Sequence, residues 1–122
     1  MTDASAPTGF LADDEVSAAR ARELTDGGAA WLLDVREDFE WEAGHAPASH
    51  HIPLGELGLR QHELPEDRQI LVICRTGARS RMVTDALNEA NYPAANVAGG
   101  MGAWQAGGGP VLRDDGTPGA IV

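Results

Sequence analysis

Residues 74 to 80, Cys74-Arg75-Thr76-Gly77-Ala78-Arg79-Ser80, carry the side chains best suited to chemistry. Cys74 is the only cysteine among 122 residues. A free thiol has a pKa of about 8.5, so only a few per cent is thiolate at neutral pH, and the thiolate is the nucleophile. Ile70-Leu71-Val72-Ile73 lead into it and read as a fully buried strand. After the central Gly77 comes a helical pattern with Met82, Val83, Ala86, Leu87 and Ala90 on one face. The thiol is therefore expected where a strand ends and a helix begins, the usual ligand position in open α/β sheets. Backbone N–H groups of the loop and first helical turn would converge on its sulfur, and the positive end of the helix dipole would favour an anion there. Arg75 and Arg79 add full positive charges. A thiolate at pH 7 is reachable in such a setting. The plain alternative is a small buried hydrophobe ending a core strand, which would need none of these neighbours.

At these residues the chain resembles the rhodanese family of sulfurtransferases. The family's active loop is a cysteine opening a six-residue cradle, here Cys74 to Arg79, followed by Ser80. Leu32-Leu33-Asp34-Val35-Arg36-Glu37 is similar to its Asp-Val-Arg strand end. Gly44-His45 through Ile52-Pro53-Leu54 and Gly99-Gly100-Met101-Gly102-Ala103-Trp104 are similar to two further family segments. The four stretches arrive in family order. Within the second, Ala46, Ala48, Ser49 and His51 replace the usual Ile, Gly, Ala and Asn, and losing a glycine from a tight turn is expected to alter the backbone path.

The resemblance implies a double displacement. Cys74 attacks the outer sulfur of thiosulfate or a persulfide donor and becomes a persulfide. Cyanide, or a thiol such as glutathione, thioredoxin or a partner protein, then removes the sulfur. Arg75, Thr76, Gly77, Ala78, Arg79 and Ser80 would bind the substrate and hold the persulfide, with Arg79 either holding donor or bracing the loop. Asp34 and Arg36 are expected as a buried supporting pair beneath it. No cofactor is implied. Cysteine phosphatases and related arsenate reductases are the rival enzymes, but their cradle is one residue longer, with arginine six positions after the cysteine. Here that position is Ser80. A second rival is a carrier or redox protein handing sulfur to one dedicated partner, since a single cysteine leaves any resolving thiol to another molecule.

Alternating short strands and helices in one small domain predict a mostly parallel sheet covered by helices on both faces, and the resemblance implies about five strands. Residues 1 to 9 read as a loose lead-in, 10 to 106 as the domain, and 107 to 122 as a mobile Gly/Pro-rich tail. Along the domain the pattern predicts an edge strand at Phe10-Leu11 and a helix over 15–24 capped by Asp13 or Asp14. It then predicts a strand over 31–35, an acidic helix over 37–43 and a helix over 54–64. The catalytic strand, a helix over 80–91, a strand over 95–98 and a small helix from Gly99-Gly100 complete it, Met101 and Trp104 reading as packing near the pocket rim.

The formal net charge of −10 argues against nucleic acid and anionic membranes as partners. All nine basic residues are arginine, and Arg75, Arg79 and Arg81 gather three of them in one short stretch, a cradle suited to a small anionic sulfur donor. No apolar run approaches the ~20 residues that span a bilayer. The N-terminus shows no basic start followed by an apolar core, so a cytoplasmic setting is expected. His45, His50 and His51 invite a metal reading. Their spacing suits no helical pair, however, neighbours on a strand point to opposite faces, and no second cysteine assists, so no metal site is expected.

Overall fold

A computed structural model describes residues 10–122. The expected lead-in at residues 1 to 9 lies outside the described residues. Five strands form one sheet: β1 (Glu15–Val16), β2 (Ala30–Asp34), β3 (His50–His51), β4 (Gln69–Ile73) and β5 (Ala94–Val97). Their order across the sheet is β1-β5-β4-β2-β3, and every neighbouring pair is parallel. Four α-helices, α1 (Ala18–Asp26), α2 (Asp38–Ala43), α3 (Ala78–Glu89) and α4 (Gly100–Ala106), connect or follow the strands. Strand β4 lies at the centre with all five residues buried, as a strand covered on both faces requires.

The two-residue side-chain period of β4 divides the core. Leu71 and Ile73 face α1 and α4, packing with Ala21, Met101 and Trp104. Ile70 and Val72 face α3 and the 54–64 segment, packing with Val83, Leu87, Ile52 and Leu64. Cys74 ends the second set. No helix of the described residues is long and apolar enough to cross a membrane.

Several expected boundaries move, each for a local reason. Phe10-Leu11 is not a strand: the Leu11 N–H donates to Gln69 Oε1 (2.8 Å) while its side chain packs on the core. The edge strand is instead Glu15–Val16, and the following helix starts at Ala18 because Ser17, not Asp13 or Asp14, caps it by accepting from the Arg20 N–H (3.1 Å). The 54–64 segment is two 3₁₀ turns, Leu54–Glu56 and Gln61–Glu63, rather than a helix. Gly55 and Gly58 weaken a continuous α-helix there. In α3 the buried face is Ser80, Val83, Thr84 and Leu87; Met82 is 60% exposed, and Ala86 and Ala90 also face solvent.

The closing Gly/Pro-rich segment, expected to be mobile, is held down. His45 and Leu112 exchange both backbone hydrogen bonds (2.9 Å each), Ala120 N–H donates to Ala43 O (2.8 Å), and Trp104 Nε1–H donates to Pro110 O (3.0 Å). Val111 joins the core. Glycines here serve close approach: a Cβ on Gly119 would stand 2.7 Å from Ala43 O.

Candidate active site

Strand β4 delivers Cys74 to the carboxyl edge of the sheet, and the chain turns back at Gly77, whose φ of 108° strongly favours glycine. That turn points the loop's donors inward. Cys74 Sγ accepts from the Gly77 N–H (3.2 Å) and the Ser80 N–H (3.3 Å), and the Ser80 hydroxyl lies 3.2 Å away. Ser80 is itself fully buried, so its hydroxyl has a fixed task. The thiol is only 1% exposed. Burial pushes it up, but the Ser80 hydroxyl and the N–H groups of Ser80, Gly77 and Thr76 outweigh that cost and hold it below the ordinary thiol range. An aliphatic burial without these donors would have had the opposite result. The arrangement favours a thiolate.

The three arginines differ sharply in what they touch. Arg79 makes a two-pronged ion pair with Glu40, Nη1 to Oε1 at 2.7 Å and Nη2 to Oε2 at 2.9 Å. Arg81 donates to Asp14 (2.9 Å) and Asp85 (2.7 Å) on the surface. Arg75 is exposed, and among the described residues no carboxylate lies within ion-pair distance of it. The cradle of three cations read from the sequence is thus one unmatched guanidinium and two matched ones. Thr76 and Ala78 are exposed at the loop surface.

Asp34 and Arg36 lie beneath, both completely buried. Arg36 Nη2 donates to Asp34 Oδ2 (2.7 Å) and to Gly44 O (2.9 Å), Nε donates to Asp34 Oδ1 (3.0 Å), and Nη1 reaches Glu40 O (3.3 Å). A buried charge is tolerated only when paired and hydrogen-bonded, and this guanidinium satisfies both conditions while fixing α2 to the end of β2. Through Glu40 that anchorage reaches Arg79 and the loop.

Glu40 escapes a reading of the sequence because it sits in an acidic run that looks solvated. Its side chain is 6% exposed. The available signal was the spacing Glu37-x-x-Glu40: the two form a capping box at the start of α2, with the Glu37 N–H donating to Glu40 Oε1 (3.0 Å). The Arg79 hydrogen bonds, opposed by burial and aided by the Glu37 N–H, hold its carboxyl below the usual range. Gly100 was also missed as a loop support. Met101 N–H donates to Cys74 O (2.8 Å) and Gly102 N–H to Arg75 O (3.2 Å), and a Cβ on Gly100 would stand 2.4 Å from Cys74 O.

The histidines have other occupations. His50 stacks on Trp31 with ring centroids 4.2 Å apart. His45 and His51 stack on Trp41 at 3.5 and 4.7 Å, each nearly parallel to the indole. Two such rings cannot share one face, so Trp41 lies sandwiched between them. His45 Nδ1 lies 2.8 Å from Trp41 O and His51 Nε2 2.8 Å from Arg36 O. The turn before them tolerates its lost glycine: Asn91 is the only non-glycine residue with positive φ among the described residues, so Ala48 carries no such strain.

A family model described as a rhodanese-like domain matches residues 17–107. The chain belongs to the rhodanese-like domain family. Among rhodanese-like relatives, YtwF of Bacillus subtilis, named as a candidate sulfurtransferase, is 37% identical over 92 residues, covering 75% of this chain and 89% of its own. YrkF of the same organism, named as a candidate sulfur carrier protein, is 42% identical over 74 residues, covering 60% of this chain and 40% of its own. The crystal structure of a rhodanese-related protein from Thermoplasma volcanium superposes with a TM-score of 0.77 at 32% identity, covering 84% of this chain and all of that one. The five-stranded parallel sheet with helices on both faces is therefore a rhodanese-like fold, and its family is one of sulfurtransferases and sulfur carriers.

Proposed function

We propose that this chain is a sulfurtransferase that moves a sulfane sulfur through a persulfide on Cys74. One observation carries the reading: the only cysteine, itself buried, meets three inward-facing donors and is held below the ordinary thiol range. With thiosulfate the Cys74 thiolate attacks the outer sulfur, the Cys74 S–S bond forms, and the donor S–S bond breaks with its electron pair leaving on sulfite. Cyanide or a thiol, glutathione or thioredoxin among them, then attacks the outer sulfur of the persulfide and returns the thiolate. Gly77 and Ser80 hold the sulfur anion, Arg75 orients the anionic donor, and Arg79 braces the loop from its pairing with Glu40. Asp34 and Arg36 support the loop from below. A free thiol chemistry of this kind suits a reducing, cytoplasmic setting.

The test is a thiosulfate-to-cyanide assay with glutathione and thioredoxin as competing acceptors, alongside mass spectrometry of the protein after thiosulfate treatment. The protein should gain about 32 Da on Cys74, one sulfur atom; no gain from thiosulfate or from a persulfide would overturn the reading. Likeness to YrkF favours a second reading, a dedicated carrier. Rapid turnover with small thiols supports the enzyme, whereas transfer to a single protein acceptor supports the carrier.

A further inference from the structure

Four guanidinium groups belong to the loop or its support: Arg36, Arg75, Arg79 and Arg81. Three are matched to carboxylates. Arg36 is matched by buried Asp34, Arg79 by Glu40, and Arg81 by Asp14 and Asp85. Arg79 also feels the negative charges of Glu37 and of Cys74 itself. A bidentate pair on a largely buried carboxylate is far less screened than a surface ion pair, so the charge of Arg79 is largely cancelled for anything approaching the sulfur.

Among the described residues, a donor therefore meets the Cys74 thiolate, the loop N–H groups and one unmatched cation, Arg75. Thiosulfate brings two negative charges to that thiolate and takes both away on sulfite. An organic persulfide brings at most one at its sulfur end. The body of the protein, at −10, adds no compensating attraction.

We propose that Glu40 is a specificity-determining residue: by occupying Arg79 it leaves Arg75 as the single unmatched cation at the loop and selects an organic persulfide over thiosulfate as the sulfur donor. The inference rests on the sulfurtransferase reading above. In the favoured step the Cys74 thiolate attacks the outer sulfur of R–S–S–H. The Cys74 S–S bond forms, the donor S–S bond breaks, and the electron pair leaves on R–S⁻; the hydrogen stays on the transferred sulfur and no oxidant is consumed. Removing the Glu40 charge frees the Arg79 guanidinium to face the donor, and a second cation benefits the dianion more than the persulfide.

The experiment measures second-order rate constants for loading Cys74, read as the mass gain of one sulfur, from two donors at fixed pH. The donors are thiosulfate and the hydropersulfide of 2-mercaptoethanol, whose only ionisable group is at the sulfur. Wild-type protein should load at least ~10-fold faster from the hydropersulfide. In Glu40→Gln the ratio should move toward thiosulfate by at least about fivefold, and adding Arg79→Gln should remove that gain. The wild-type ratio needs no variant, so it can overturn the inference even if Glu40→Gln fails to fold. Arg79→Gln alone, which removes a cation already matched by Glu40, should leave that ratio within about twofold. Equal or faster loading of the wild type from thiosulfate, or a folded Glu40→Gln with an unchanged ratio, overturns the inference and leaves sulfur transfer through Cys74 intact. Loading from neither donor overturns both.

Discussion

Helices α3 and α4 begin alike and serve the same residue differently. Each has a glycine cap at positive φ, Gly77 at 108° and Gly99 at 76°, and neither has a side-chain cap. Each sends its first free N–H groups to Cys74. From the start of α3 they go to the sulfur; from the start of α4 they go to the carbonyl of Cys74 and, one residue on, of Arg75. The surroundings differ as the tasks do. A Cβ on Gly77 would meet nothing closer than 3.4 Å, whereas one on Gly100 would meet Cys74 and Arg75 backbone atoms at 2.4 to 2.7 Å. One helix start is an open cradle for an acceptor whose charge can change. The other is a closed clamp on acceptors that never titrate. Orphan amides of the same origin thus separate into chemistry on one side and positioning on the other.

That division gives its largest expected effect at the sulfur. Cys74→Ser should lower sulfur transfer by at least ~1,000-fold while the fold persists, with melting unchanged only at acid pH where the wild-type thiol is protonated, because only the nucleophile is lost. The pH dependence has a definite sign. The folded thiol titrates below its unfolded value, so the thiolate contributes stability that is fully present above the unfolded pKa and lost as pH falls through the folded one. Melting curves of wild type and Cys74→Ser should therefore diverge in favour of wild type as pH rises through that window. Retained activity in the variant would dissolve the comparison altogether.

Gly100→Ala tests the clamp. The new methyl meets backbone, which cannot swing away, and φ of 57° adds strain. A loss of about 2–4 kcal/mol of stability is expected, with activity falling ~10-fold or more because the loop is displaced. Urea unfolding beside the sulfur-loading rate separates the two. Lost activity at full stability would place Gly100 with the chemistry instead.

How far these roles could be read from residues alone follows the range of the interactions. The apolar run of β4, the glycine at the turn and the following helix are local patterns, so the strand–loop–helix unit around Cys74 was legible. The pairing of Asp34 with Arg36 spans two residues and was legible through the family resemblance. Glu40 was not, because its burial depends on Arg79, 39 residues away; in isolation an acidic helix looks solvated. The closing segment misled for the same reason. Its glycines and prolines suggest freedom, yet its partners are Ala43 and His45, far earlier in the chain. The 54–64 segment failed in the other direction, since local glycines broke a helix that the apolar spacing suggested.

Ser80→Ala sharpens the cradle side. Its hydroxyl is the strongest single influence lowering the thiol, and hydrogen bonds to a charged group are worth ~1.5–3 kcal/mol. Removing it should move the acidic limb of the pH–rate profile to higher pH, with activity reduced most below neutrality and largely recovered in alkaline buffer. A uniform loss at every pH would mean that Ser80 packs the loop rather than holding the thiolate.

Arg75→Ala carries the smallest effect and asks whether the open side of the cradle reaches beyond the sulfur to the donor. The side chain is exposed and has no carboxylate within ion-pair distance among the described residues, so its removal leaves no buried partner unmatched. Stability should stay within ~0.5 kcal/mol, as for surface substitutions generally. An exposed guanidinium acting on a bound anion is partly screened, so the expected rise in KM for thiosulfate is about three- to tenfold, with a smaller rise for an uncharged donor. Steady-state kinetics with both donors, at equal ionic strength, read the difference directly. Equal changes for the two would assign Arg75 to loop shape and would leave the amides of α3 as the only part of the cradle that distinguishes charge.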